Sequence, residues 1–140
     1  GEPLFAFGSG LSYTSFAYAA PQLSATTLQA GAHLQVRTQV RNSGTRAGDE
    51  VVQVYLEYPQ RAQSPLRTLV GFQRVTLQPG ETREVQFDLT PRQLSDVDRA
   101  GQRAVQPGDY RVFVGGGQPG TGAPGDEAAF SIQGSAPIPR

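Results

Sequence analysis

Gly48-Asp49-Glu50-Val51-Val52-Gln53-Val54-Tyr55-Leu56-Glu57-Tyr58 is the stretch whose reading decides the fold. Strict alternation begins at Val52. Val52, Val54, Leu56 and Tyr58 point one way, and Gln53, Tyr55 and Glu57 point the other. The valines favour an extended backbone because two heavy atoms on Cβ restrict χ1. Pro59 then ends the run by removing a backbone donor. This predicts a central strand of an antiparallel sandwich, with one face in the core.

The same period of two spreads to both sides. His33 to Arg41 alternates, with Leu34, Val36, Thr38 and Val40 inward. Asn42 to Gly48 is a turn-rich loop. Leu66 to Leu77 is a further strand whose parity slips at Gly71-Phe72, because Leu69 and Phe72 are apolar and three apart. A β-bulge at Gly71 accounts for that slip. Gln78-Pro79-Gly80-Glu81 is a tight turn, and Val85, Phe87 and Leu89 line the inner side of the strand after it. Tyr110, Val112 and Val114 share a face. Tyr110 directly follows a Pro-Gly-Asp turn, which fits a tyrosine corner. Ala128, Phe130 and Ile132 close the sheet, and Leu23 to Leu28 opens it as one short strand. Pro91 to Arg103 breaks the pattern; within it Leu94-Ser95-Asp96 is read as a short turn or minor edge strand, and the chain shows no convincing helix. About seven strands with turn signals at 8–12-residue spacing predict an all-β, immunoglobulin-like or fibronectin type III-like antiparallel β-sandwich.

Residues 1–20 read differently: Phe5, Phe7, Tyr13, Phe16 and Tyr18 stand among glycines and serines. We read this stretch as an irregular aromatic arm, residues 21–133 as the sandwich and residues 134–140 as a C-terminal tail. Aromatic side chains on an arm need a cover, either this sandwich or a neighbouring domain.

Composition excludes several chemistries. There is no cysteine, so no disulfide, thiolate metal site or cysteine nucleophile exists. All 12 basic residues are arginine, which removes lysine-based phosphate cradles and Schiff-base chemistry. Twelve acids balance them, so charge gives no case for a nucleic-acid or membrane partner. The expected setting is periplasmic or extracellular, with no signal peptide in the chain as given and a start at Gly1-Glu2-Pro3 that reads as a cut from something longer.

The candidate reactive groups are sparse. His33, the sole histidine, falls on an outer strand face, where a triad imidazole would lack its orienting carboxylate and nucleophile. Asp49/Glu50, Asp96/Asp98 and Asp126/Glu127 are carboxylate pairs; the first and last are read as solvated loop charges, and Asp96/Asp98 offer calcium oxygens with no repeating acidic loop to support a site. Gly115-Gly116-Gly117 lacks the lysine and following helix of a phosphate loop. We therefore expect no catalytic residue, cofactor or metal site. The residues alone point to a binding, docking or structural module.

Five stretches, in order, carry a resemblance. They are Leu4 to Phe16, Val40-Arg41-Asn42-Ser43-Gly44 continuing into Ala47 to Tyr55, Pro65 to Val75, Leu77-Gln78-Pro79-Gly80-Glu81-Thr82, and Val105 to Gly115. With them the chain resembles the C-terminal fibronectin type III-like domain of glycoside hydrolase family 3, which includes β-glucosidases and β-xylosidases. It departs from the family pattern at Ser95-Asp96-Val97-Asp98, which lacks an aromatic, and in its glycine-rich loop from Gly116 to Gly125. The resemblance implies a non-catalytic accessory domain of a retaining β-glycosidase. Its partners would be the barrel and α/β domains of the parent, and β-linked gluco- or xylo-oligosaccharides would meet it only through that parent. The candidate docking surface is Phe5, Phe7, Tyr13 and Phe16 of the arm with Gln53 and Tyr55 of the central strand. A carbohydrate-binding module using Tyr55, Phe113 or Tyr58, and a free-standing interaction or adhesion domain, are the alternatives.

Overall fold

The computed structural model describes residues 14–59, 67–97 and 100–139. It is an all-β sandwich. Strands β1 (Phe16–Tyr18), β2 (Gln22–Leu23), β3 (Thr27–Gln29), β4 (Leu34–Asn42), β5 (Gly48–Glu57), β6 (Arg67–Leu77) and β7 (Thr82–Leu89) come first. A single helical turn α1 (Pro91–Leu94) follows, then β8 (Asp96–Val97), β9 (Arg103–Val105), β10 (Gly108–Gly115), β11 (Gly125–Gln133) and β12 (Ala136–Pro137).

The larger sheet has the order β3-β11-β10-β5-β6. The opening stretch is β5, hydrogen-bonded on both sides, and its alternation holds. Val52, Val54 and Leu56 are wholly buried and Tyr58 nearly so, while Gln53, Tyr55 and Glu57 face outward, partly exposed. In the second sheet β4 pairs with β7 over Leu34 to Arg41. The other edge of β4 carries β1 and β2 one after the other, because Asn42 to Val40 pairs with β1 and Arg37-Val36 with β2. Leu34, Val36, Val40, Val85, Phe87 and Leu89 face Val52, Val54, Leu56, Val112 and Val114 across the core. Burying one such side chain contributes about 1.5–3 kcal/mol, which is why period two holds so well on the inner faces.

The predicted tyrosine corner is present. Tyr110 is buried and its hydroxyl donates to the Gln106 carbonyl. Its ring stacks on Phe130 at 5.2 Å and meets Tyr58 edge-on at 6.1 Å. Burial pushes the Tyr110 phenol up to about 12. The Gln78-Pro79-Gly80-Glu81 turn closes with Glu81 N donating to Gln78 O, and Gly80 supplies the positive φ of 79° that a side chain would resist.

Three expectations need correction. The first strand splits in two: β2 pairs in one sheet and β3 in the other, and Ser24 to Thr26 carry the chain between them. Leu23 and Leu28 have opposite parity, which one continuous half-buried strand cannot satisfy. Second, the segment after Thr90 contains a helical turn. Thr90 caps it, with Gln93 N donating to Thr90 Oγ1 and Thr90 N donating to Gln93 Oε1, a reciprocal capping box with Pro91 opening the turn. Third, Ala136–Pro137, in the stretch read as a tail, pairs with β9, which also pairs with β8 in a small third sheet.

Candidate docking face

The outer face of the larger sheet is built by register. Across β5, Tyr55 is flanked by Phe113 of β10 and Leu69 of β6, and Gln53 is flanked by Gly115 and Phe72. The slip in β6 makes this possible. Val54 pairs with Gly71 and Tyr55 with Leu69, leaving Val70 as the extra residue of the bulge. Without that residue Leu69 and Phe72 would point to opposite faces; with it both emerge beside Tyr55 and Gln53. Leu69 is 46% exposed and Phe72 66% exposed, while Val54, between them in register, is fully buried.

Packing on this face is oriented by small residues and polar ties. Gly115 and Gly125 are paired across β10 and β11. A Cβ at Gly125 would lie 2.5 Å from Phe113 Cζ, and one at Gly115 would lie 2.8 Å from Phe113 Cε1. The Phe113 ring therefore lies down over the two glycines instead of standing upright. The Tyr55 hydroxyl donates to Gln53 Oε1 at 2.7 Å, and Gln53 Nε2 reaches the Gly116 carbonyl at 3.4 Å. One end of the apolar patch is bordered by ion pairs, Arg111 with Glu127 at 2.8 Å and Arg67 with Glu57 at 3.1 Å. These exposed pairs contribute little to stability, and they give the face a polar border. The bulge is secured from behind: Gln93 Nε2 of α1 donates to the Val70 carbonyl at 2.7 Å.

The other site expectations fare differently. Phe5, Phe7 and Tyr13 lie outside the described residues. Phe16 sits on β1, half-buried and packed against the core of its own sandwich, so the structure does not bring it together with Gln53 and Tyr55. Tyr58 is buried, its hydroxyl donating to the Gln93 carbonyl, and it is no surface platform. Leu69 and Phe72 are the members that sequence reasoning did not place here, while Phe113 was read as an exposed aromatic only under the carbohydrate-binding alternative. The spacing of Leu69 and Phe72 was the available signal.

Chemistry-bearing groups stay apart. His33, just before β4, pairs with Asp88 of β7 at 2.9 Å with both side chains about half exposed, so the carboxylate neighbour exists but in an open, water-facing position. Among the described residues no three His, Asp or Glu side chains gather as a metal site, and no helix is long and apolar enough to cross a membrane. Asp49 is exposed and accepts from Thr76 Oγ1. Its neighbour departs from the expectation of a solvated loop charge. Glu50 continues the inward parity of β5 and is half-buried, and it accepts from the Tyr18 hydroxyl of the opposite sheet at 2.8 Å. Burial holds its carboxyl above the usual range, against the Tyr18 bond and a backbone bond at Val51 that pull it down.

A two-sheet sandwich with a tyrosine corner, one apolar outer face and only scattered titratable groups defines a fibronectin-type module. The fibronectin type III-like domain family matches residues 50–118. The chain is 42% identical over 115 residues to a β-xylosidase of Formosa agariphila, which covers 81% of this chain and 16% of that protein. It is 36% identical over 114 residues to a periplasmic β-glucosidase of Salmonella typhimurium, covering 81% of this chain and 15% of that protein. The solved β-glucosidase of Listeria innocua in complex with gluconolactone superposes with a TM-score of 0.77 at 34% identity, over 95% of this chain and 18% of that one. The chain belongs to the fibronectin type III-like domains of glycoside hydrolase family 3. It spans about a sixth of the length of the relatives it matches.

Proposed function

We propose that this chain is a non-catalytic accessory domain of a β-glucosidase or β-xylosidase. In this reading it stabilises that enzyme by seating its larger sheet against the barrel and α/β domains of the parent. The carrying observation is the exposed apolar cluster of Leu69 and Phe72 beside Tyr55 and Phe113. A module that is about a sixth of its relatives has most of such a protein available to cover that face. Apolar area removed from water on docking is worth about 25 cal/mol per Å2. The flat ring of Phe113 and the projecting ring of Phe72 fit an apolar, gently ridged partner surface, with Arg67, Glu57, Arg111 and Glu127 left at its polar border.

The same rings favour a second reading, a platform on which a sugar ring stacks. Both readings are tested on the 140-residue chain. The docking reading expects no hydrolysis of aryl β-glucosides or β-xylosides above background, and flat calorimetric traces with xylan and cello-oligosaccharides at millimolar concentration. Turnover at enzymatic rates would overturn it, and saturable heats abolished by Phe72→Ala would establish the sugar platform instead.

A further inference from the structure

Thr14 to Tyr18 falls in the stretch that reads in sequence as an irregular arm, yet it is bonded along its length to the sandwich. Asn42 is fully buried and uses its whole side-chain capacity. Its Nδ2 donates to the Arg46 carbonyl at 2.7 Å and to the Leu77 carbonyl at 3.0 Å. Its Oδ1 accepts from Gly44 N at 3.0 Å and from the Thr14 hydroxyl. One side chain thus joins the start of the described chain, the loop after β4 and the end of β6. Ser43 adds two bonds to the same point, its amide and its hydroxyl both donating to the Ser15 carbonyl. Gly44 leaves the space: a Cβ there would overlap Thr14 Oγ1 and lie 2.9 Å from Ser15 N.

The far end of the segment is held by a different group. β1 pairs with β4 in register, and Ala19 N donates to the Gln39 carbonyl at 3.0 Å. The Tyr18 hydroxyl crosses the gap between sheets to Glu50 Oε2. Glu50 also stands against the base of the glycine-rich loop, since a Cβ on Gly116 would lie 2.5 Å from the same oxygen. The Gly116 carbonyl in turn accepts from Gln53 on the outer face. A chain of contacts therefore runs from Tyr18 through Glu50 and Gly116 to Gln53.

We propose that Thr14–Tyr18 is a fixed mount and not a tether: Asn42, Ser43 and Gly44 seat its start, Glu50 braces its end, and together they fix the position of the backbone at Thr14 on the sandwich. The mount is an internal interface whose partner is this chain's own incoming segment. It deepens the accessory-domain reading, because a backbone fixed from Thr14 onward limits the orientations in which the sandwich can meet a neighbouring domain. It rests on that reading only for what the preceding chain belongs to.

The test is hydrogen exchange on the 140-residue chain, with no partner present, so it is independent of whether the outer face docks. Thr14→Val and Tyr18→Phe each remove one hydroxyl and keep the shape. In the unmodified chain, peptides covering residues 14–19 should be protected well above the loop of residues 116–124. The double variant should speed exchange in residues 14–19 by about tenfold or more while β5 and β10 keep their rates. Glu50→Gln retains an acceptor for Tyr18 and should keep most of the protection; Glu50→Leu should lose it. Exchange of residues 14–19 at loop rates in the unmodified chain would overturn the proposal, as would a double variant with unchanged rates.

Discussion

At the scale of single residues, the most informative is Glu50, a carboxylate at a core-facing position. Its parity matches Val52 and Val54, and it is tolerated because it lies at the open end of the sandwich where Tyr18 can supply a hydroxyl. Burial raises its pKa in the folded state, so the folded protein holds the proton more tightly than the unfolded chain does. The stability that Glu50 contributes is therefore fully present below the ordinary carboxylate range and is lost as pH rises through the raised folded value. Glu50→Gln keeps an acceptor for Tyr18 without the charge. We expect thermal melts of the two proteins to diverge as pH rises from the carboxylate range to neutrality, with the glutamine form the more stable at neutral pH. A difference between them that does not change with pH would contradict this. None of it was legible in the sequence, where Glu50 is one of two adjacent acids at a strand entrance. Its partner lies 32 positions away, in a segment that reads as an arm.

At the scale of elements, legibility followed the strength of the hydrophobic period. β4 buries one complete face, and β5 and β7 bury theirs from Val52 and Val85 onward, so alternation alone located them and assigned their inward sets. The strand at Leu23 to Leu28 misled because each half is too short to show a period, and only the parity of its two leucines betrays the change of sheet. α1 was missed for a related reason. One helical turn has no periodicity, and its only sequence signal is the Thr90-Pro91-Arg92-Gln93 cap. That turn matters more than its length implies, because Gln93 satisfies both the Thr90 amide and the Val70 carbonyl at the bulge. Gln93→Leu removes both bonds. It should destabilise the domain by about 1–3 kcal/mol, with faster exchange at residues 70–72 as its local signature. A variant with unchanged melting and unchanged exchange there would show that the bulge holds itself.

For the whole molecule, the two sheets divide the work. The inner faces are an ordinary sandwich core, closed by Tyr110 and Phe130 at the tyrosine corner. The outer face of the larger sheet carries Leu69 and Phe72 in contact with water, a feature that the core does not require. The sequence-level candidates Gln53 and Tyr55 lie at its centre, but the rings and leucine around them could be placed only once the register of β5, β6 and β10 was known. Exposed apolar side chains in a cluster mark an interaction surface more often than a fold need. The direct measurement is the melting temperature of Phe72→Asp in two settings: the isolated 140-residue chain, and the longest protein encoded by its reading frame. In isolation the substitution should change stability by no more than about 0.5 kcal/mol, as at other exposed positions. In the longer protein, melting should fall by several degrees and the domain should become more sensitive to protease. Equal loss in both settings, or no loss in the longer protein, would contradict a docking role for this face.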